Sequence, residues 1–181
     1  KSNQFAFSIT SSQTNANLRT LAVNAGWNQS SSLLATINSG VVMTSNSVGT
    51  PGLTINGSFP GGVELVNNGT IVGDGGNGGK GGDSAFTGQS VGLAGSAGGL
   101  ALTISVAASI RNNGTIAGGG GGGGGAGGWR LQTSGGKDAQ YSNNGGGGGG
   151  GGRSSLTNSS GGSKGLAYSN PAGVVRPGFA G

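Results

Sequence analysis

Glu64, Asp74, Asp83 and Asp138 are the only acids among 181 residues, and histidine and cysteine are absent. No two of these acids lie within three residues of each other. General acid–base catalysis needs a positioned pair that titrates near neutral pH, and a metal needs several ligands converging on one point. The sequence therefore predicts no catalytic residue, no metal site and no cofactor, and it predicts a non-enzyme. Without cysteine there are no disulfides, and the redox compartment stays unread. The formal charge of +5 rests on nine bases, and Arg19, Arg111, Arg130, Arg153 and Arg176 form neither a run nor a repeat. Nucleic-acid binding needs a clustered basic stripe, so no nucleic-acid partner is expected. Weak attraction to an anionic cell surface is the plainer use of such a charge.

The elements that could position binding residues divide the chain in two. Charged residues make up only 7% of it and 47 positions are glycine. The large apolar residues lie mostly before Ala117, which confines a conventional core to roughly the first 115 residues, near the size at which single domains stand alone. Phe5, Phe7 and Ile9 alternate with Ala6 and Ser8, the two-residue period of a half-buried strand. Leu18–Val23, Leu33–Ile37, Val41–Met43, Leu53–Ile55 and Val63–Val66 read as further strands between Asn, Ser, Gly and Pro turns. The expected fold class is all-β and irregular, with little or no α-helix. A β-strand-rich base module covers 1–72 and a glycine-rich domain covers 73–181. No apolar run reaches the roughly 20 residues that span a bilayer. The start at Lys1, without methionine or signal peptide, reads as a processed product or the end of a longer polypeptide.

Asn67-Asn68-Gly69-Thr70-Ile71 recurs as Asn112-Asn113-Gly114-Thr115-Ile116, 112 − 67 = 45 residues later. Leu53-Thr54-Ile55 recurs as Leu102-Thr103-Ile104 at 102 − 53 = 49, which reads as one repeat with a four-residue indel. Each Asn-Gly copy supplies a turn before a glycine run. The runs themselves carry order. Gly75–Asp83 is a Gly-Gly-X repeat with Asn77, Lys80 and Asp83 at every third place, and Gly118–Gly125 and Gly145–Gly152 are uninterrupted. A flexible linker has no need of period three. A left-handed helix with three residues per turn puts every third residue on one edge, and only glycine lets such helices approach closely on several sides. Eight residues at about 3.1 Å each span roughly 25 Å. The expected architecture is a polyglycine II bundle, or sandwich, in which Val at Gly121 or Gly148 would be disruptive and Asn77→Ser nearly silent.

The run from Asn17-Leu18-Arg19-Thr20 through Ala25-Gly26-Trp27, Thr36-Ile37-Asn38-Ser39-Gly40 and the two Asn-Asn-Gly-Thr-Ile copies into glycine runs resembles the receptor-binding tips of tailed-bacteriophage tail fibres. It looks most like the carboxy-terminal parts of siphophage central tail-fibre and tail-tip proteins. The glycine-rich half is similar in kind to the distal adhesins of T-even phages, whose family fold is a polyglycine II sandwich with variable tip loops. The resemblance implies an adhesin on the virion, at the distal end of the tail. Its partners would be a bacterial surface receptor (an outer-membrane protein, lipopolysaccharide or pilus) and the rest of the fibre, either as a homotrimer or as one chain capping a trimer. The amino-terminal module departs from the attachment region of a complete T-even adhesin, which favours covalent continuation of a fibre. The runner-up is an ice-binding or surface-coating protein, disfavoured because the regular Gly-Gly-X repeat is short and the loops are dissimilar.

If glycine runs span one bundle height, their connections alternate between its two ends. On that parity Asp83–Val91, Trp129–Asn144 and Leu166–Ala172 share the tip, while Arg153–Ser160 lies at the base. The candidate receptor-binding residues are Phe86, Trp129, Tyr141 and Tyr168, with Arg130, Lys137 and Asn170 beside them. Aromatic residues give large rigid contact area with a polar handle, although plugging the bundle end is the alternative role. Trp27, within the β module, is expected in the core.

Overall fold

In the computed structural model the described residues are 3–85, 88–132, 141–144, 160–170 and 174–177. The chain opens with β1 (Gln4–Ile9), β2 (Gln13–Thr14) and β3 (Ala16–Asn17), followed by α1 (Leu18–Asn24). A second circuit adds β4 (Ser32–Ile37), β5 (Val42–Thr44) and β6 (Leu53–Ile55). A third begins with β7 (Val63–Asn67) and β8 (Thr70–Val72). The chain then makes a glycine-rich excursion carrying β9 (Ser84–Ala85) and β10 (Gly88–Gln89), and completes the circuit with β11 (Leu102–Ile104). β12 (Ser109–Asn112) and β13 (Thr115–Ala117) start a fourth. After another glycine run come β14 (Trp129–Gln132), β15 (Tyr141–Asn144), β16 (Leu166–Asn170) and β17 (Val174–Pro177). Two compact units result: one holds Lys1–Asp74 and Gly99–Gly119, the other Gly75–Gly98, Gly120–Arg153 and Thr157–Gly181.

The first unit is a three-faced parallel β-solenoid. Its sheets run β1-β4-β7-β12, β2-β5-β8-β13 and β3-β6-β11, so each circuit of chain lies on the one before it. The two-residue period of a strand sends Leu33, Ala35 and Ile37 of β4 inward, together with Met43, Leu53, Ile55, Leu65 and Ile71. Trp27 is buried as expected, stacked on Phe59 at 5.3 Å between ring centroids. Its indole N–H donates to the Ser31 carbonyl at 2.9 Å, the partner that a buried indole requires.

Sequence repetition has become spatial stacking. Leu102 pairs with Leu53 and Ile104 with Ile55, while Asn112 pairs with Asn67 and Ile116 with Ile71. Residues 53–71 thus lie under residues 102–116, and the four-residue indel between the two offsets falls in the connection that joins the paired strands. The connection after β11 is simply shorter than that after β6. Asparagine amides join the circuits: Asn67 Nδ2 donates to Asn112 Oδ1 at 2.7 Å, and Asn113 Nδ2 to Asn68 Oδ1 at 2.9 Å. Earlier circuits repeat the device with Asn15 to Asn46 and Asn17 to Asn56.

Leu18–Val23, expected as a strand, is instead helical. Asn17 ends β3 in extended conformation (φ −114°, ψ 121°) and its side chain accepts from the Thr20 amide, the mark of a helix N-cap. Leu18 and Ala22, one turn apart, are then both fully buried, whereas a strand would have placed them on the same face only by burying Thr20 as well.

The second unit is held by main-chain hydrogen bonds that recur every third residue. Gly76, Gly79 and Gly82 donate to the carbonyls of Gly120, Gly123 and Ala126 at 2.7–2.9 Å. Ser90, Leu93 and Ser96 donate to Asp83, Lys80 and Asn77, and Gly122, Gly125 and Gly128 donate to Ser96, Leu93 and Ser90. The runs 75–83, 90–98 and 120–128 thus bond to one another in a closed triangle, and Gly78 and Gly81 bond outward to Ser160 and Ser163 of a fourth run. None of these runs is α-helical or paired as a β-strand.

Glycine is required on particular rows. A Cβ on Gly79 would overlap the Leu93 carbonyl, and one on Gly122 would overlap that of Asn77. At Gly121 the nearest atom would be the Ser96 oxygen at 3.7 Å, an ordinary contact. The expectation that Gly121 is crowded is therefore corrected: it lies on an exposed row, and Gly122 on the inward one. Gly148 falls outside the described residues.

Candidate functional site

Each end of the glycine runs is fixed by the hydrogen-bond pattern. Ser90 bonds to Asp83 at 3.0 Å and Gly128 to Ser90 at 3.2 Å, while Gly81 bonds to Ser163 at 2.8 Å. The runs 75–83, 120–128 and 160–165 therefore finish at the same end of the second unit, where 90–98 begins. From that end depart the β9–β10 hairpin and the strands β14–β17. Lys80 Nζ and Asp83 Oδ2 form an ion pair of 2.8 Å beside it.

β14, β15, β16 and β17 form one antiparallel sheet in that order. Trp129 pairs with Asn144, Arg130 with Asn143, and Gln132 with Tyr141. Tyr141 pairs in turn with Asn170, and Tyr168 with Val175. Opposed residues share a face and alternate residues return to it, so positions Arg130, Tyr141, Tyr168 and Asn170 fall on one face by register. Position Trp129 falls on the other. The backbone of β9 approaches β15 and β16. Phe86 and Lys137 lie outside the described residues.

Gln132 and Asn143 occupy the same face by register and were not singled out from the sequence. Their two-residue spacing from Arg130 and Tyr141 was the available signal, but the partners of a strand cannot be read without its register. Residue types of the kind that suit recognition of hydroxyls, carboxylates or phosphates thus stand at positions of one face by register. Among the described residues no three acids, histidines or cysteines come together, and no helix is long and apolar enough to cross a membrane. Glu64 is engaged with Arg111 at 3.5 Å on the solenoid, and Asp138 lies outside the described residues.

No curated protein sequence matches the chain. Among solved structures it is similar to the crystal structure of the gp37-gp38 adhesin tip complex of the bacteriophage S16 long tail fiber, with 21% sequence identity and a TM-score of 0.49 over 91% of this chain and 68% of that one. Residues 4–181 match the family model of the phage tail fibre adhesin Gp38. The chain belongs to the phage tail fibre adhesin Gp38 family.

Proposed function

We propose that this adhesin meets its receptor with the end of the glycine-rich unit from which β9–β10 and β14–β17 depart. As a phage tail-fibre adhesin the protein works on the virion, at the distal end of the tail, against the bacterial surface. That membership also decides between an adhesin and the ice-binding alternative. The observation that carries the proposal is the common end from which all described hairpins of the second unit leave. On this reading positions Arg130, Tyr141, Tyr168 and Asn170 supply one face of the contact surface, with Trp129, Phe86 and Lys137 kept as further candidates for contact. No catalytic step is involved.

The glycine runs serve as polyglycine II helices, a reading supported by their three-residue bonding period and by main-chain contacts too close for a Cβ. Their rigidity would let the contact loops vary while the frame stays fixed. The solenoid would join the rest of the fibre. β1, β2 and β3 end their sheets without a further strand among the described residues, and an open parallel edge readily receives more β structure. A single copy or a homotrimer could be held in this way, and the mass of the assembled tip separates them. The receptor is an outer-membrane protein, lipopolysaccharide or pilus, distinguishable by adsorption to deletion strains.

The test is competition for phage adsorption by the purified, folded chain. Tyr141→Ala and Tyr168→Ala should compete more weakly than the unmodified chain, and Asn77→Ser, on an exposed edge, should compete equally. Full competition by both tyrosine variants would overturn the assignment.

A further inference from the structure

The dipeptide Asn-Gly occurs at Asn56–Gly57, Asn68–Gly69, Asn77–Gly78, Asn113–Gly114 and Asn144–Gly145. It is the most labile asparagine context in proteins, because glycine has no side chain to shield the nitrogen that attacks the preceding amide. The structure treats the first four copies differently. The Gly69 amide donates to Asn67 Oδ1 at 3.1 Å, inside the solenoid, and the Gly78 amide donates to the Ser160 carbonyl at 3.0 Å. In the fourth circuit Asn112 Oδ1 receives Asn67 Nδ2 and no bond from the glycine that follows. Gly114 N has no hydrogen-bond partner among the described residues, and neither has Gly57 N. Asn113, Gly114, Asn56 and Gly57 are all exposed.

We propose that Asn113–Gly114 and Asn56–Gly57 are sites of spontaneous deamidation in the folded protein, and that hydrogen bonds to the glycine nitrogen keep Asn68–Gly69 and Asn77–Gly78 unreactive. The Gly114 nitrogen loses its proton to hydroxide and attacks Asn113 Cγ. A C–N bond forms, the Cγ–Nδ2 bond breaks, and ammonia leaves with a proton from water. Water then opens the resulting succinimide at either carbonyl, giving aspartate or isoaspartate. The net change is amide plus water to carboxylate plus ammonium, with nothing oxidised or reduced.

The two sites differ in consequence. Asn113 uses its Nδ2 to donate to Asn68 Oδ1, so conversion removes that bond and sets a carboxylate against an acceptor oxygen. Asn56 uses its Oδ1 to accept from Asn17 Nδ2, and a carboxylate can still accept there. Each event lowers the formal charge of +5 by one.

The experiment is incubation of the folded chain in mildly alkaline buffer, followed by peptide mapping by mass spectrometry, with a denatured sample alongside. Conversion at Asn113 and Asn56 should outrun that at Asn68 and Asn77 by roughly tenfold or more, the rate equivalent of about 1.4 kcal/mol for breaking the protecting bond. In the denatured sample the four should convert at similar rates. The proposal is overturned if Asn68 or Asn77 keeps pace with Asn113 in the folded chain, or if either open site stays an amide while the denatured sample converts.

Discussion

Alanine at Gly79 and alanine at Gly121 are the same chemical change in the same glycine-rich unit, yet the structure sets them apart. The new methyl at Gly79 meets main chain on run 90–98: it overlaps the Leu93 carbonyl oxygen and comes to 2.7 Å from the Ala94 carbonyl carbon. No side chain can rotate away, so the run itself must retreat by roughly 1 Å to restore ordinary contact distances. That displacement loosens the bonds from Leu93 to Lys80 and from Gly125 to Leu93, each 2.8 Å long. Two bonds at about 1 kcal/mol net each, with an added desolvation cost for any group left buried and unpaired, give a loss of about 2–4 kcal/mol. At Gly121 the methyl makes an ordinary contact at 3.7 Å and the backbone is not left-handed. The effect there should lie between neutral and about 1 kcal/mol stabilising, through lower entropy of the unfolded chain. For a chain of this size each kcal/mol shifts Tm by about 2–4 °C. Differential scanning calorimetry should therefore find Gly79→Ala lower by about 5–15 °C and Gly121→Ala within about 3 °C of the parent. Equal melting of the two variants would refute the row assignment, and with it the close-packed reading of the glycine runs.

Tyr141→Ala and Tyr168→Ala should each weaken binding to host cells by about thirtyfold, the effect of a 2 kcal/mol hot spot, while the calorimetric transition is unchanged; a cell-binding titration checks this. Trp27→Ala should cost about 3–5 kcal/mol, since it empties a core site and removes the Phe59 stack and the Ser31 bond; a fall in denaturation midpoint reads it. Asn67→Ala removes the donor to Asn112 and Thr115 and strips the buried Gly69 amide of its acceptor. The cost should be about 2–4 kcal/mol, and Asn46→Ala, at an exposed pair, should cost under about 1 kcal/mol in the same assay. Lys80→Ala breaks an ion pair whose side chains are both about two-fifths exposed, so its effect should stay within about 1 kcal/mol at low salt and vanish at high salt.

Much of the solenoid was legible because its strands are short and bounded by turns. Phe5, Phe7 and Ile9 show the period of two in the sequence, while Ser32–Ile37 shows it in burial. What could not be read was which strand stacks on which. Parallel pairing joins residues a whole circuit apart, and nothing local reports that distance. The copied Asn-Asn-Gly-Thr-Ile was a trace of it, and with Leu-Thr-Ile it marked one stretch of chain that stacks on the other. Leu18–Val23 failed for another reason. Six residues with apolar members at 18, 21, 22 and 23 fit a helix turn and a strand about equally, and the cap at Asn17 decided between them. At the candidate site, the sequence could give the residue types and the common end of the loops. The face shared by Arg130, Tyr141, Tyr168 and Asn170 depends on antiparallel register, which the loops between the strands set.

The glycine runs show where such reading stops. In Gly75–Asp83 every third residue is something other than glycine, and these positions, Asn77, Lys80 and Asp83, avoid the rows where neighbouring backbone comes too close. The period is visible because the sequence relaxes at the one row that tolerates a side chain. In Gly118–Gly125 the same period governs the contacts: Gly122 and Gly125 meet main chain, while Gly121 and Gly124 have their nearest neighbours at 3.7 Å. Glycine fills the tolerant row as well, so the period leaves no mark on the letters. Close packing explains glycine at 122 and 125; nothing in the structure explains it at 121 and 124. A run that uses more glycine than its packing demands gives up unfolded-state entropy, about 0.4–1 kcal/mol at each such site, and Gly121→Ala with Gly124→Ala should recover it additively, the sites being on an open row without a shared partner. A combined variant less stable than the parent would show that this row is packed after all.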